Sequence, residues 1–207
     1  MTRLAVFASG RGSNFKALAA AAREGVFPGR VVLLLCDQPG AGALDIAAEY
    51  GIPARVIEGR RPAGRLGREA ETAYRDACRD AGVEWICLAG FMRILGPILL
   101  EAYPDRIVNI HPALLPAFPG LEAQRQAWDY GVRVSGCTVH LVDGGVDTGP
   151  IILQRAVPVL PDDSPESLAA RILEQEHGIY AEALGLLLTR RWRRQGRRII
   201  FDEEVPR

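Results

Sequence analysis

The chain has 207 residues, 48% of them hydrophobic, and its 25 basic side chains balance its 25 acidic ones. That length suits one domain with a sizeable core, and the zero net charge argues against a nucleic-acid coat protein, which needs a basic excess. No run approaches the roughly 18 apolar residues of a membrane-crossing helix, the N-terminus reaches Ser9-Gly10 before an h-region is complete, and the apolar content excludes disorder.

Short apolar runs then alternate with helical stretches. Residues 4–8 read as a buried strand, 9–14 as a loop and 15–23 as an alanine-rich helix. Residues 31–36 predict a second strand, 42–50 a helix closed by Gly51, 53–57 a third strand, and 65–81 a long helix stopped by Gly82. A fourth strand at 85–89, a short helix at 97–103 and a fifth strand at 106–110 complete this half. Such alternation implies crossover units and a mainly parallel sheet covered on both faces.

After residue 111 the rhythm changes. A proline-rich loop with Pro112, Pro116 and Pro119 leads to a helix over 122–130. Residues 135–142 and 151–159 read as strands that pair antiparallel around a glycine-rich loop. A long helix follows over 165–188, N-capped by Ser164, and the tail holds a short strand at 198–201. The fold class is therefore α/β: an open, mainly parallel, doubly wound Rossmann-like sheet with a C-terminal antiparallel portion and a long C-terminal helix.

Certain residues carry chemistry. Lys16 is the only lysine among the 25 basic residues, and there are three histidines, His111, His140 and His177. Four dispersed cysteines, Cys36, Cys78, Cys87 and Cys137, form no CxxC pair; Cys36, Cys87 and Cys137 lie in apolar, strand-like runs and read as small core residues in a reducing compartment, and a cytoplasmic location is expected. Ser9-Gly-Arg-Gly-Ser-Asn14 lies between a strand and a helix, where glycines admit a ligand and free N–H groups point at an anion. Phe15 stands where a dinucleotide fingerprint has its third glycine, which ranks a single phosphate above a dinucleotide, although Asp37 mimics that fold's ribose-binding acid. An ordinary ligand-free turn is the alternative.

Asn109 and His111 are two apart on a strand, so they share a face at its carboxyl end, where open α/β sheets bind ligands. An amide beside an imidazole suits an oxyanion and a proton in transit. A carboxylate from the loop carrying Asp143 and Asp147 would orient His111 and raise its pKa; spacing does not choose between the two, and turn-forming aspartates are the simpler alternative. No GxSxG, HExxH or clustered Cys/His pattern points to a serine hydrolase or zinc site. His177 reads as a solvated or capped helix residue. The arginines at 190–198 read as a helix end followed by a solvated segment, since Trp192 alone is a thin stacking platform.

Six ordered blocks, Ser-Gly-Arg-Gly-Ser-Asn (9–14), Leu-Ala-Gly-Phe-Met-Arg-Ile-Leu (88–95), Asn-Ile-His-Pro-Ala-Leu-Leu-Pro (109–116), Gly-Cys-Thr-Val-His (136–140), Asp-Thr-Gly-Pro-Ile-Ile (147–152) and Gln-Glu-His (175–177), resemble the phosphoribosylglycinamide formyltransferase family. The resemblance implies a catalytic domain over 1–190, with a phosphate-binding half (1–105), a folate and catalytic half (106–190), and a basic tail (191–207). It implies formyl transfer from 10-formyltetrahydrofolate to the amine of glycinamide ribonucleotide in purine synthesis, by direct attack and a tetrahedral intermediate. No metal, nucleic acid or membrane takes part, and the chain is a monomer or weak homodimer. Asn109, His111 and Asp147 fall on the catalytic trio, with a protonated His111 helping to hold the oxyanion. Gly12, Ser13 and Asn14 fall on the phosphate loop, and Glu176 on the ribose. Arg68, Met92, Arg93, Ile94, Leu95, Asn109, Asp143 and Val146 fall on the folate pocket, with Arg65 the alternative to Arg68 at the glutamate tail. A cis peptide is expected at Leu115-Pro116. Glu122 stands where many relatives carry histidine, with Gln124 two further on.

Two related enzymes share this kind of site. Formyltetrahydrofolate deformylase carries an extra N-terminal domain, and methionyl-tRNA formyltransferase an extra C-terminal one; neither is expected here. A non-catalytic folate or nucleotide binder would not need Asn109, His111 and Asp147 together.

Overall fold

The computed structural model describes residues 1–59 and 64–202. The chain order is β1 (Thr2–Ala8), α1 (Ser13–Glu24), β2 (Gly29–Cys36), α2 (Gly42–Tyr50), β3 (Ala54–Val56), β4 (Gly64–Arg65), α3 (Arg68–Asp80), β5 (Trp85–Leu88), β6 (Arg93–Ile94), α4 (Pro97–Ala102) and β7 (Ile107–His111). It continues through α5 (Ala123–Tyr130), β8 (Val134–Leu141), β9 (Ile151–Pro158), α6 (Pro165–Thr189), β10 (Trp192–Gln195) and β11 (Arg198–Phe201).

Nine strands form one sheet in the order β10-β11-β9-β8-β7-β5-β1-β2-β3. The run β7-β5-β1-β2-β3 is parallel, because each strand is regained through a crossover; β8 and β9 are antiparallel. Alternation along β1 explains the two layers. Leu4 and Val6 enter a core shared with α1, α2 and α6, whereas Ala5 and Phe7 enter one shared with α3 and α4. This is the doubly wound α/β sheet expected, with the antiparallel portion and the long C-terminal helix in place. Ser164 caps α6, and Ser167 returns the hydrogen bond as a capping box.

Two differences from the expected elements have tertiary causes. The helix expected from residue 65 begins at Arg68, because Gly64–Arg65 pairs with Arg93–Ile94 as a separate two-stranded ribbon. Neither two-residue strand has a period to read. The arginines at 190–198 are exposed, as expected, but the segment that carries them is ordered as a β10–β11 hairpin turning at Gly196 (φ 61°) and joined to β9. Trp192 sits 6.3 Å from the Trp85 ring, and Ile199 and Phe201 pack on the larger core. Burial of these apolar side chains recruits the segment, while Arg194 reaches Asp105 at 2.9 Å on the surface. Residues 203–207 of the tail lie outside the described residues.

The β8–β9 turn carries Asp147, and Gly149 lets it close. A Cβ at Gly149 would overlap the Leu141 carbonyl oxygen, whereas one at Gly144 would meet nothing within 4 Å. Gly149→Ala should therefore cost about 1–3 kcal/mol in urea unfolding, and Gly144→Ala less than about 0.5 kcal/mol.

Candidate active site

At the carboxyl end of β7 the sheet changes direction. The antiparallel register sets Asn109 opposite His140 and His111 opposite Thr138. The turn after β8 then brings Asp147 over the face shared by Asn109 and His111. One carboxylate oxygen of Asp147 lies 3.2 Å from His111 Nδ1, and the other 3.4 Å from Asn109 Nδ2 and 3.6 Å from His140 Nε2. The Gly120 amide donates to Asp147 at 2.8 Å. Asp147 has left-handed backbone (φ 53°), a conformation aspartate tolerates better than most residues. The geometry thus brings Asp147, not Asp143, to the pair; Asp143 bonds Gly145 N and Thr148 Oγ1 within its own turn.

His111 is almost buried, and each ring nitrogen faces an acceptor. Nδ1 faces Asp147, and Nε2 lies 2.8 Å from the Phe118 carbonyl oxygen. A neutral imidazole has one N–H, so it can serve only one of them. Burial lowers the His111 pKa below its usual value, and neighbouring Asp147 and the Phe118 carbonyl oppose that shift without overcoming it. The expected rise in pKa is therefore not found, because desolvation outweighs the carboxylate. Burial also pushes Asp147 upward, but the neighbouring His140 and His111 imidazoles and the hydrogen bond from the Gly120 amide hold its pKa below the ordinary carboxylate value.

Residue-by-residue reading missed His140 as a site residue. Its Nδ1 faces the Leu141 carbonyl at 2.8 Å, which assigns the proton there and leaves Nε2 to accept from Asn109 Nδ2 at 3.2 Å. His140 thereby orients the Asn109 amide. Only the β7–β8 register reveals this; His140 lies 31 residues from Asn109.

These groups form one end of a cavity of about 620 Å³. Of the residues expected at folate, Met92, Arg93, Ile94, Leu95, Asn109, Asp143 and Val146 line it, together with Asp147. Arg65 and Arg68 are exposed and lie outside the lining, since β4 and the start of α3 turn them to solvent. His111 sits behind Asp147 rather than in the cavity wall. Asp37, read as a mimic of a ribose-binding acid, instead lines the cavity and accepts from Arg93 Nε at 2.6 Å.

Gly12, Ser13 and Asn14 open α1. Gly12 is left-handed (φ 81°), and a Cβ there would sit 2.8 Å from Ala43 Cα, so glycine is required. No side chain caps α1 and no acid occupies its first turn, which leaves backbone donors for an anion. Asn14 Nδ2 donates to Glu176 Oε2 at 2.7 Å, while Asn14 Oδ1 is buried without a partner. Glu176 is 5% exposed, and burial raises its pKa to about 7 against the opposing Asn14 hydrogen bond. Phe118 and Glu122 are left-handed, Glu122 is exposed, Gln124 is half-buried, and Leu115-Pro116 is cis. His177 is half-buried with Nε2 unpartnered, so it is neither solvated nor capped through that nitrogen.

A family profile described as formyl transferase matches residues 2–184. The chain is 44% identical over 189 residues to phosphoribosylglycinamide formyltransferase of Bacillus subtilis, covering 91% of this chain and 95% of that protein. It is 46% identical over 188 residues to the trifunctional purine biosynthetic protein adenosine-3 of Drosophila melanogaster, covering 90% of this chain and spanning 14% of that protein's length. The crystal structure of glycinamide ribonucleotide transformylase 1 from Symbiobacterium toebii matches with a TM-score of 0.93 at 46% identity, covering 98% of this chain and 95% of that one.

The raised Glu176 pKa has a definite sign for stability. A folded-state value of about 7 against an ordinary 4.5 means that stability falls as pH rises between them, by about 3 kcal/mol in total. Glu176→Gln removes the buried charge. Its stability relative to the wild type should therefore rise by about 2–3 kcal/mol from pH 5 to pH 8, read from urea unfolding at both.

Proposed function

The chain belongs to the formyl transferase family, and from that premise we propose that it transfers the formyl group of 10-formyltetrahydrofolate to the amine of glycinamide ribonucleotide in purine synthesis. The observation that carries this reading is one half-buried carboxylate, Asp147, shared between Asn109 and His111 at the end of a cavity with apolar walls. Leu88, Phe91, Ile94, Leu95 and Val142 suit a flat ring system, and Asn109, His140 and Asp147 offer polar groups at one end. The start of α1 suits the ribonucleotide phosphate, and Glu176 the ribose hydroxyls.

Bound 10-formyltetrahydrofolate supplies an electrophilic formyl carbon: the amine nitrogen bonds to it, the folate N10–carbon bond breaks, and one amine proton passes to N10. No protein nucleophile is needed. Asn109 Nδ2, held by His140, gives up its long 3.4 Å contact with Asp147 and donates to the developing oxyanion. His111 exchanges the Phe118 carbonyl for the amine proton at Nε2. Its lowered pKa keeps the imidazole neutral and able to take that proton at neutral pH. Asp147 accepts from Nδ1 of the resulting imidazolium, which then returns its proton to the departing nitrogen. A reducing cytoplasm suits the four buried, unpaired cysteines.

His111→Ala and Asp147→Asn should each lower kcat by about 10²–10⁴-fold while ribonucleotide affinity stays within about twofold by calorimetry; near-wild-type turnover in both would refute the assignment. Folate release should require glycinamide ribonucleotide, whereas release without it would indicate a hydrolase. Because neutral His111 is the proton acceptor, the acid limb of the pH–kcat/KM profile should lie below pH 6.5.

A further inference from the structure

Arg93 is the one lysine or arginine among the described residues that line the cavity, against three aspartates, Asp37, Asp143 and Asp147. Asp147 belongs to the catalytic cluster, and Asp143 is occupied within its own turn. Asp37 has neither task. Its Oδ2 accepts from Arg93 Nε at 2.6 Å and from Gln38 Nε2 at 3.3 Å. The two charged side chains are close to fully enclosed, Asp37 at 1% exposure and Arg93 at 14%. Asp37 follows the last residue of β2, whereas Arg93 begins β6, so the pair ties the main sheet to the separate ribbon that walls the cavity.

A buried carboxylate is costly, and this one leaves Oδ1 without a partner. An asparagine would accept the same hydrogen bond without a buried charge. What the charge adds is a short bond to one edge of a planar fork, which fixes the plane of the whole guanidinium. The backbone of Arg93 is already held opposite Gly64. With both ends of the side chain constrained, the cation meets a ligand with little rotamer freedom left to lose.

We propose that Asp37 is a positioning residue for folate recognition: it holds Arg93 by the Nε edge so that the guanidinium receives a carboxylate of the co-substrate. This rests on the reading of the cavity as the folate site. Asp37 need not touch the ligand, and its effect is carried through Arg93. The ligand group concerned is the glutamate portion, the only part of the folate skeleton that carries carboxylates; the ring and benzoyl portions fit the apolar wall.

The test compares tetrahydrofolate with tetrahydropteroyl methylamide, in which an uncharged amide replaces the glutamate, by calorimetry on the full chain. Asp37→Ala should weaken tetrahydrofolate binding about tenfold and leave the methylamide within about twofold. Asp37→Asn, nearly isosteric, should fall between wild type and Asp37→Ala, and it carries the test if the alanine variant fails to fold. In an Arg93→Ala background the Asp37 substitution should add nothing further. In turnover the change should appear in KM for the formyl donor, with kcat within about twofold. Equal weakening of both ligands, or the same loss with Arg93 already removed, overturns the proposal. Because binding is read directly, a wild-type chain that binds in this pattern yet transfers no formyl group would refute the functional reading and leave this one standing.

Discussion

The site depends on where one carboxylate lies. Asp147 lies within contact of His111, Asn109 and His140, and it accepts from the Gly120 amide. These four neighbours come from three places: alternate positions on β7, the facing strand β8, and the loop before α5. A group held from four sides has little freedom to reorient, and its ionised state is favoured although burial opposes it. The cost includes left-handed backbone at Asp147 itself and at Phe118, whose carbonyl faces the other His111 nitrogen. Strain gathers at the segments that place these groups.

His111 shows how two opposing effects produce a usable acid–base group. Enclosure disfavours the imidazolium, while a carboxylate and a carbonyl on opposite sides of the ring favour it. Burial prevails, which leaves a resting imidazole one proton short of satisfying both neighbours. Such a ring gains a hydrogen bond on accepting a proton and loses one on releasing it. Glu176 repeats the theme in opposite sign, with enclosure favouring its neutral form and the Asn14 amide its charge.

Charge in this protein is managed locally. The whole-chain balance of 25 against 25 says little about ligands that are themselves anionic. Among the described residues the cavity contributes a single arginine, itself paired to Asp37, and the start of α1 contributes backbone donors. The remaining arginines of the C-terminal hairpin serve the surface, as Arg193 with Asp202 and Arg194 with Asp105 illustrate.

Strand and helix order, the parallel-to-antiparallel change after residue 111, the Ser164 cap and the pairing of Asn109 with His111 all follow from local pattern. Period-two and period-3.6 burial, cap chemistry and side-chain direction on a strand are properties of neighbouring residues. Tertiary structure decided what depends on distant segments meeting: Asp147 rather than Asp143, His140 as the support of Asn109, the Gly64–Arg65 ribbon, and the hairpin recruited by Trp192. It also decided the direction of the His111 shift and the partner of Asp37. Local sequence specifies which groups a strand end presents; their protonation and bonding depend on how much water the rest of the fold removes and which charges it brings within a few ångströms.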